Sequence, residues 1–147
     1  MNETRGLWRG KTTPKCNNEG FNSIWVEGDL IHSEELCYIH PFANAVKVQG
    51  ELGRLIVMHK VDPSTLGECT GLRDKNGKFV FEGDILRTNT GDTNERFCYY
   101  AIIWNHAGFY CNCDDTPITA LFVSQDEVVG NIHDNPELLK SKNKEDK

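Results

Sequence analysis

The sequence lacks long hydrophobic runs: none approaches the roughly 20 apolar residues that a membrane-spanning helix needs. The first fifteen residues, Met1 to Lys15, contain no apolar core of the kind a secretory signal carries. Sustained helical periodicity is also missing, which argues against a helical bundle or coiled coil. There is no phosphate-binding loop, no dinucleotide fingerprint and no recognisable catalytic motif, so the common nucleotide-dependent and hydrolytic classes have no support. Nor is there an excess of basic charge. The formal net charge is -6, and residues 1–136 carry 12 basic against 19 acidic groups, the remaining four lysines lying in the last eleven residues. An acidic body repels phosphate backbones, so nucleic acid is disfavoured as a partner. With no signal for export or membrane insertion, the chain is expected in the cytoplasm, with its six cysteines as thiols rather than disulfides.

What is present reads as strands and turns. At 147 residues the chain suits one domain or two very small ones, and the 38% hydrophobic content is enough for a core without metal or disulfide staples. Thirteen glycines favour short strands and many turns. Segments rich in Val, Ile, Phe, Tyr and Trp mark strands at Gly6–Lys11, Ile24–His32, Leu36–Ile39, Ala45–Val48, Arg54–His59, Lys78–Thr88, Phe97–Trp104, Gly108–Cys113, Ile118–Val123 and Glu127–Ile132. Strand spacing this short suggests a barrel or sandwich.

Three turns have a stated mechanism. Asn76-Gly77 suits a type I′ hairpin, in which both central residues take positive φ. Asp62-Pro63 opens a helical turn, with Asp62 as cap and Pro63 pre-setting φ. Asn135-Pro136-Glu137 repeats that signal and predicts a short helix through about Lys140, before a charged tail. Trp25-Val26-Glu27-Gly28-Asp29-Leu30-Ile31 also aligns with Val80-Phe81-Glu82-Gly83-Asp84-Ile85-Leu86. Either this is a duplicated lobe whose glycines mark bends, or it is coincidence between short strands.

Candidate chemistry is sparse. His106, Cys111 and Cys113 are the best metal candidates, because residues two apart on a strand share a face, and Asp114, Cys98 or Cys16 could complete a tetrahedral zinc site. Cys-x-Cys on a flat strand chelates poorly, however, and buried cysteine is a common small hydrophobe, so no metal or other cofactor is expected. Glu27, Asp29, Glu82 and Asp84 would form a paired-acid site if the two Glu-Gly-Asp segments met, but an aspartate after glycine commonly bonds its own turn. Tyr99, Tyr100, Trp104 and Tyr110, with Phe97 and Phe109, could stack on bases or hold a peptide, or serve as core. No catalytic residue emerges and an enzyme is not expected.

One segment carries a family resemblance. Val61-Asp62-Pro63-Ser64-Thr65-Leu66-Gly67 leads through Thr70-Gly71-Leu72-Arg73-Asp74-Lys75-Asn76-Gly77-Lys78 into Phe81-Glu82-Gly83-Asp84-Ile85-Leu86. This resembles the signature of the YopX-like proteins of phages and prophages, and Trp25–Ile31 and Val128–Leu139 are similar to that family's N-terminal segment and closing strand. The resemblance implies a mainly β protein with an SH3-like barrel in its C-terminal half. Taken with the Glu-Gly-Asp repeat, the expectation is a two-lobed chain with an N-terminal lobe over residues 1–61, the SH3-like barrel over 62–136, and a helical turn and tail over 137–147. It also implies a phage or prophage product in a bacterial cytoplasm, and it brings no established activity. The resulting expectation is a protein-binding module that self-associates as a homo-oligomer, with Leu55–Met58 and Phe97–Trp104 as apolar stretches bordering open sheet edges. The alternative is an accessory protein of phage replication or regulation that binds nucleic acid on a barrel face.

Overall fold

The computed structural model describes residues 6–13, 23–32, 36–40, 59–89, 97–105, 107–113 and 115–140. The protein is mainly β, with two sheets and few helices, and no sheet closes into a barrel among the described residues. The chain divides into two compact units, Met1–Cys69 and Thr70–Lys147.

The first unit is an antiparallel sheet in the order β4-β3-β2-β1 and then the opening residues of β5. Its strands are β1 (Trp8–Lys11), β2 (Trp25–His32), β3 (Cys37–His40), β4 (His59–Lys60) and β5 (Gly67–Arg73). Period-two alternation places Val26 inward and the Glu27 and Asp29 carboxylates on the exposed side of β2. Val26, Ile39 and Val61 form the core, with Trp8, Leu30, Cys37 and Leu66 packed on it. Arg9 lies 4.8 Å over the ring of Trp25. The Asp62 cap holds: its Oδ1 accepts the Ser64 N–H at 3.0 Å and starts the 3-10 turn Pro63–Thr65. Thr65 Oγ1 then accepts the Lys11 N–H, tying that turn to β1.

In the second unit the latter half of β5 pairs with β6 (Phe79–Phe81). A four-stranded sheet follows in the order β10-β7-β8-β9, built from β7 (Asp84–Asn89), β8 (Phe97–Asn105), β9 (Gly108–Cys111) and β10 (Glu127–Asn131). One helix, α1 (Ala120–Ser124), precedes β10, and residues 137–140 form the expected terminal helical turn. The core is Val80, Leu86, Tyr100, Ile102, Cys111 and Val123.

Several expectations are corrected here. Ile118–Val123 is not a strand. Thr119 has extended backbone and its Oγ1 accepts the Phe122 N–H, so it caps α1, and only Val123 of that helix is buried. The run of β-branched and aromatic residues imitated a strand. Lys78–Thr88 is two strands, split at Glu82-Gly83, where Gly83 takes φ 92°. Gly28, by contrast, sits inside β2 without positive φ, so the two Glu-Gly-Asp segments have different backbones: one runs straight and one turns. The hairpin at Asn76-Gly77 forms, but it is not type I′, since Asn76 has no positive φ and Gly77 alone has φ 79°. It is a three-residue loop closed by Asp74 N–H to Lys78 O, with Gly77 in the left-handed position, because the Asp74 carboxylate captures the Asn76 and Lys78 N–H groups. β8 pairs with β7 along Phe97–Ala101 and with β9 along Ile102–Asn105, so each half of Phe97–Trp104 has a strand on one side. Ala45–Val48 and Leu55–Met58 lie outside the described residues.

Candidate functional site

The family-like signature resolves into backbone architecture. The Asp74 side chain takes three backbone donors: Asn76 and Lys78 N–H on Oδ1 at 2.9 Å each, and Val128 N–H on Oδ2 at 3.0 Å. Burial works to raise the Asp74 carboxyl, but those three bonds and the nearby Lys78 charge outweigh it and hold the group below its ordinary range. Lys75 N–H adds a bond to the Asp126 carbonyl, so the hairpin is sewn to the start of β10. Thr70 Oγ1 donates to Val80 O and accepts the Leu72 N–H. Asp84 Oδ2 accepts the Phe81 N–H at 2.8 Å, which fixes the Glu-Gly-Asp turn, and Gly83 is bonded on both sides, to Ile102 O and from Ile132 N–H. Asp84 is thus committed to its own turn, while Asp29 lies 3.9 Å from His40 in the first unit.

The aromatic candidates divide between the two faces of one sheet. Tyr100 points into the core beside Ile102 and Cys111. Trp104, four residues further along β8, is half exposed at 51% and meets the edge of Phe109, ring centroids 4.9 Å apart. Tyr99 and Tyr110 occupy positions of opposite parity, paired with Arg87 and Ile103. They do not make one stacking platform.

Cys111 and Cys113 separate as well. Cys111 closes β9 inside the core, whereas Cys113 is exposed in the turn that follows. Cys98 sits half-buried opposite Thr88. His106, Asp114 and Cys16 lie outside the described residues. Among the described residues no three His, Cys, Asp or Glu side chains gather as a metal site. No helix among them is long and apolar enough to cross a membrane.

A site that sequence reasoning missed lies beside α1. Thr88, Thr119, Leu121, Phe122, Gln125 and Asp126 line an open pocket of about 350 Å³. Leu121 and Phe122 on its rim are 71% and 40% exposed, although Phe122 also packs against Tyr100 at 5.4 Å. Asp126 is only 4% exposed and accepts the Tyr100 hydroxyl on Oδ2 at 2.5 Å. Burial first, and then the Asp126 carboxylate, push the Tyr100 phenol far up, so it remains a donor. The available signal was Thr119 followed by Ala-Leu, a cap before good helix formers, masked by the β-like Phe122-Val123.

Two neighbouring cations are already committed. Arg87 donates to Glu127 Oε2 at 2.6 Å and Lys75 stands 3.6 Å from the same oxygen. The Arg87 bond, with both positive charges, holds Glu127 below its ordinary range.

The YopX protein family model matches residues 19–140. The chain belongs to the YopX family. Two solved structures share the fold. Protein EF1440 from Enterococcus faecalis is 20% identical at a TM-score of 0.56, covering 90% of this chain and 97% of its own. Protein yopX from Bacillus subtilis is 18% identical at a TM-score of 0.51, covering 95% and 97%. No curated protein matches the sequence.

Proposed function

We propose that this YopX-family chain is a non-enzymatic, phage- or prophage-encoded β module of the bacterial host cytoplasm that binds a protein partner and self-associates. The SH3-like character expected of its second unit belongs to the same reading: a small sheet that offers a side-chain surface for a partner. The observation that carries it is the apolar pair Leu121 and Phe122, held exposed at the rim of the α1 pocket by a capped helix turn. Fully burying an exposed leucine or phenylalanine is worth about 1.5–3 kcal/mol; Leu121 has most of that to gain and Phe122, 40% exposed, a smaller part. The signature residues, engaged with their own backbone, leave this pocket as the better candidate contact.

Self-association by strand addition has little support at either edge of the four-stranded sheet. The Val128 and Asn131 N–H groups of β10 are taken by the Asp74 and Asn135 side chains, and the strand bulges between Val128 and Gly130. On the other edge, Tyr110 of β9 bridges to Pro117, and Cys111 and Ile118 N–H bond Thr116 and Phe109 carbonyls across the same gap.

Affinity capture from phage-bearing cells, with and without nuclease, tests the reading. A protein retained after nuclease and at raised salt is the expected result. Recovery that nuclease abolishes and salt steeply weakens would instead favour the nucleic-acid accessory role. Light scattering tests assembly separately: a mass that stays near 16.7 kDa on concentration removes self-association.

A further inference from the structure

We infer that the α1 pocket receives an arginine side chain of the protein partner, an assignment that rests on the protein-binding reading above and names its ligand. Asp126 is a carboxylate buried to 4% exposure, and such a charge needs compensating donors. It has one side-chain donor, the Tyr100 hydroxyl on Oδ2; Oδ1 takes none and no cation pairs with Asp126 among the described residues. Lys75 and Arg87, the near cations, are spent on Glu127.

Around Asp126 the pocket lining supplies what a guanidinium on an apolar stem uses. Leu121 and Phe122 offer apolar surface for the methylenes, and an aromatic ring for the planar head to stack on. The Thr88 and Thr119 hydroxyls and the Gln125 side-chain oxygen are further acceptors on the lining. Arginine, with five donors in a rigid fork, can reach several of these at once, while an ammonium acts as a compact point charge and does not stack in the same way. The acidic body of the chain favours the approach of a basic partner.

The test is a nuclear magnetic resonance titration of the full chain with Nα-acetyl-arginine amide, and with its neutral isostere Nα-acetyl-citrulline amide and its lysine counterpart. Saturable shifts are expected at the Tyr100, Phe122 and Asp126 amides with the arginine probe, and affinity at least tenfold lower with citrulline. Asp126→Asn keeps an oxygen for the Tyr100 hydroxyl but turns an amide into the pocket, and should lose at least tenfold. Should that variant unfold, Gln125→Lys at the exposed rim places a competing cation there and should abolish the shifts. Equal response to citrulline, undiminished binding in Gln125→Lys, or no response in the tens-of-millimolar range overturns the arginine assignment. Lysine binding as tightly as arginine also overturns it. A captured partner lost on mutating Leu121 without any arginine response would leave the binding-module reading intact and this ligand wrong; an arginine response without any captured partner would do the reverse.

Discussion

Replacing Asp74 with Asn changes one atom type and reaches most of the second unit's closing contacts. The native carboxylate accepts three backbone N–H groups while nearly buried. Asparagine keeps one oxygen, which can still serve Asn76 and Lys78, but its amide then faces the Val128 N–H, donor against donor. Leaving that N–H unsatisfied costs about 1–3 kcal/mol, and making the two surviving bonds neutral removes roughly 0.5 kcal/mol from each, so a loss of about 2–4 kcal/mol is expected. The pH dependence follows from the direction of the shift. The folded carboxyl lies below its unfolded value of about 3.9, so its stabilisation is complete above that pH and drains as pH falls through the folded value. Urea melts at neutral pH and down an acid series read both effects: Asp74→Asn should have a lower midpoint and a flatter acid limb. A midpoint equal to that of the native protein, or an unchanged acid slope, would refute the stabilising role given to the three Asp74 carboxylate bonds.

Three further outcomes are expected. Gly77→Val forces a β-branched residue to φ 79° and should cost about 1–2 kcal/mol in a thermal melt, even though open space surrounds the position. Gly130→Ala puts a Cβ 2.5 Å from the Asn135 Oδ1, so that side chain must move and its bond to Asn131 N–H is lost, at about 1–3 kcal/mol by denaturant titration. Cys111→Ser places a hydroxyl in the core and should destabilise by about 1–3 kcal/mol while Cys113→Ser is near neutral; one zinc per chain by metal analysis, lost together with stability in Cys111→Ser, would overturn that structural reading of the two thiols.

How much the sequence disclosed depended on whether a residue's role was local. Asp62-Pro63, Asn135-Pro136 and the hairpin at Asn76-Gly77 were legible because caps and turns are set by residues within four positions. The type of that hairpin was not, because the Asp74 carboxylate selects it, and Asp74 is fixed in turn by Val128, 54 residues away. The two Glu-Gly-Asp segments look alike on paper and differ in the backbone, since Gly83 closes a turn bonded to Ile102 and Ile132 whereas Gly28 runs straight within β2, paired with Trp8 of β1. Ile118–Val123 was misread because β-branched and aromatic residues predominate there, and Thr119 capping decided the matter. The pocket escaped notice for a related reason. Its parts come from β7, α1 and the start of β10, and no local pattern joins Thr88 to Asp126.

Binding of a protein partner at the exposed apolar rim of the α1 pocket is tested by comparing capture of partner by the native chain and by Leu121→Asp, with melting curves recorded for both. Leu121 is 71% exposed, so a charge there should leave the melt unchanged. Loss of the nuclease-resistant partner from a variant that melts like the native protein is the expected result; full retention of that partner by an equally stable Leu121→Asp chain would contradict the claim.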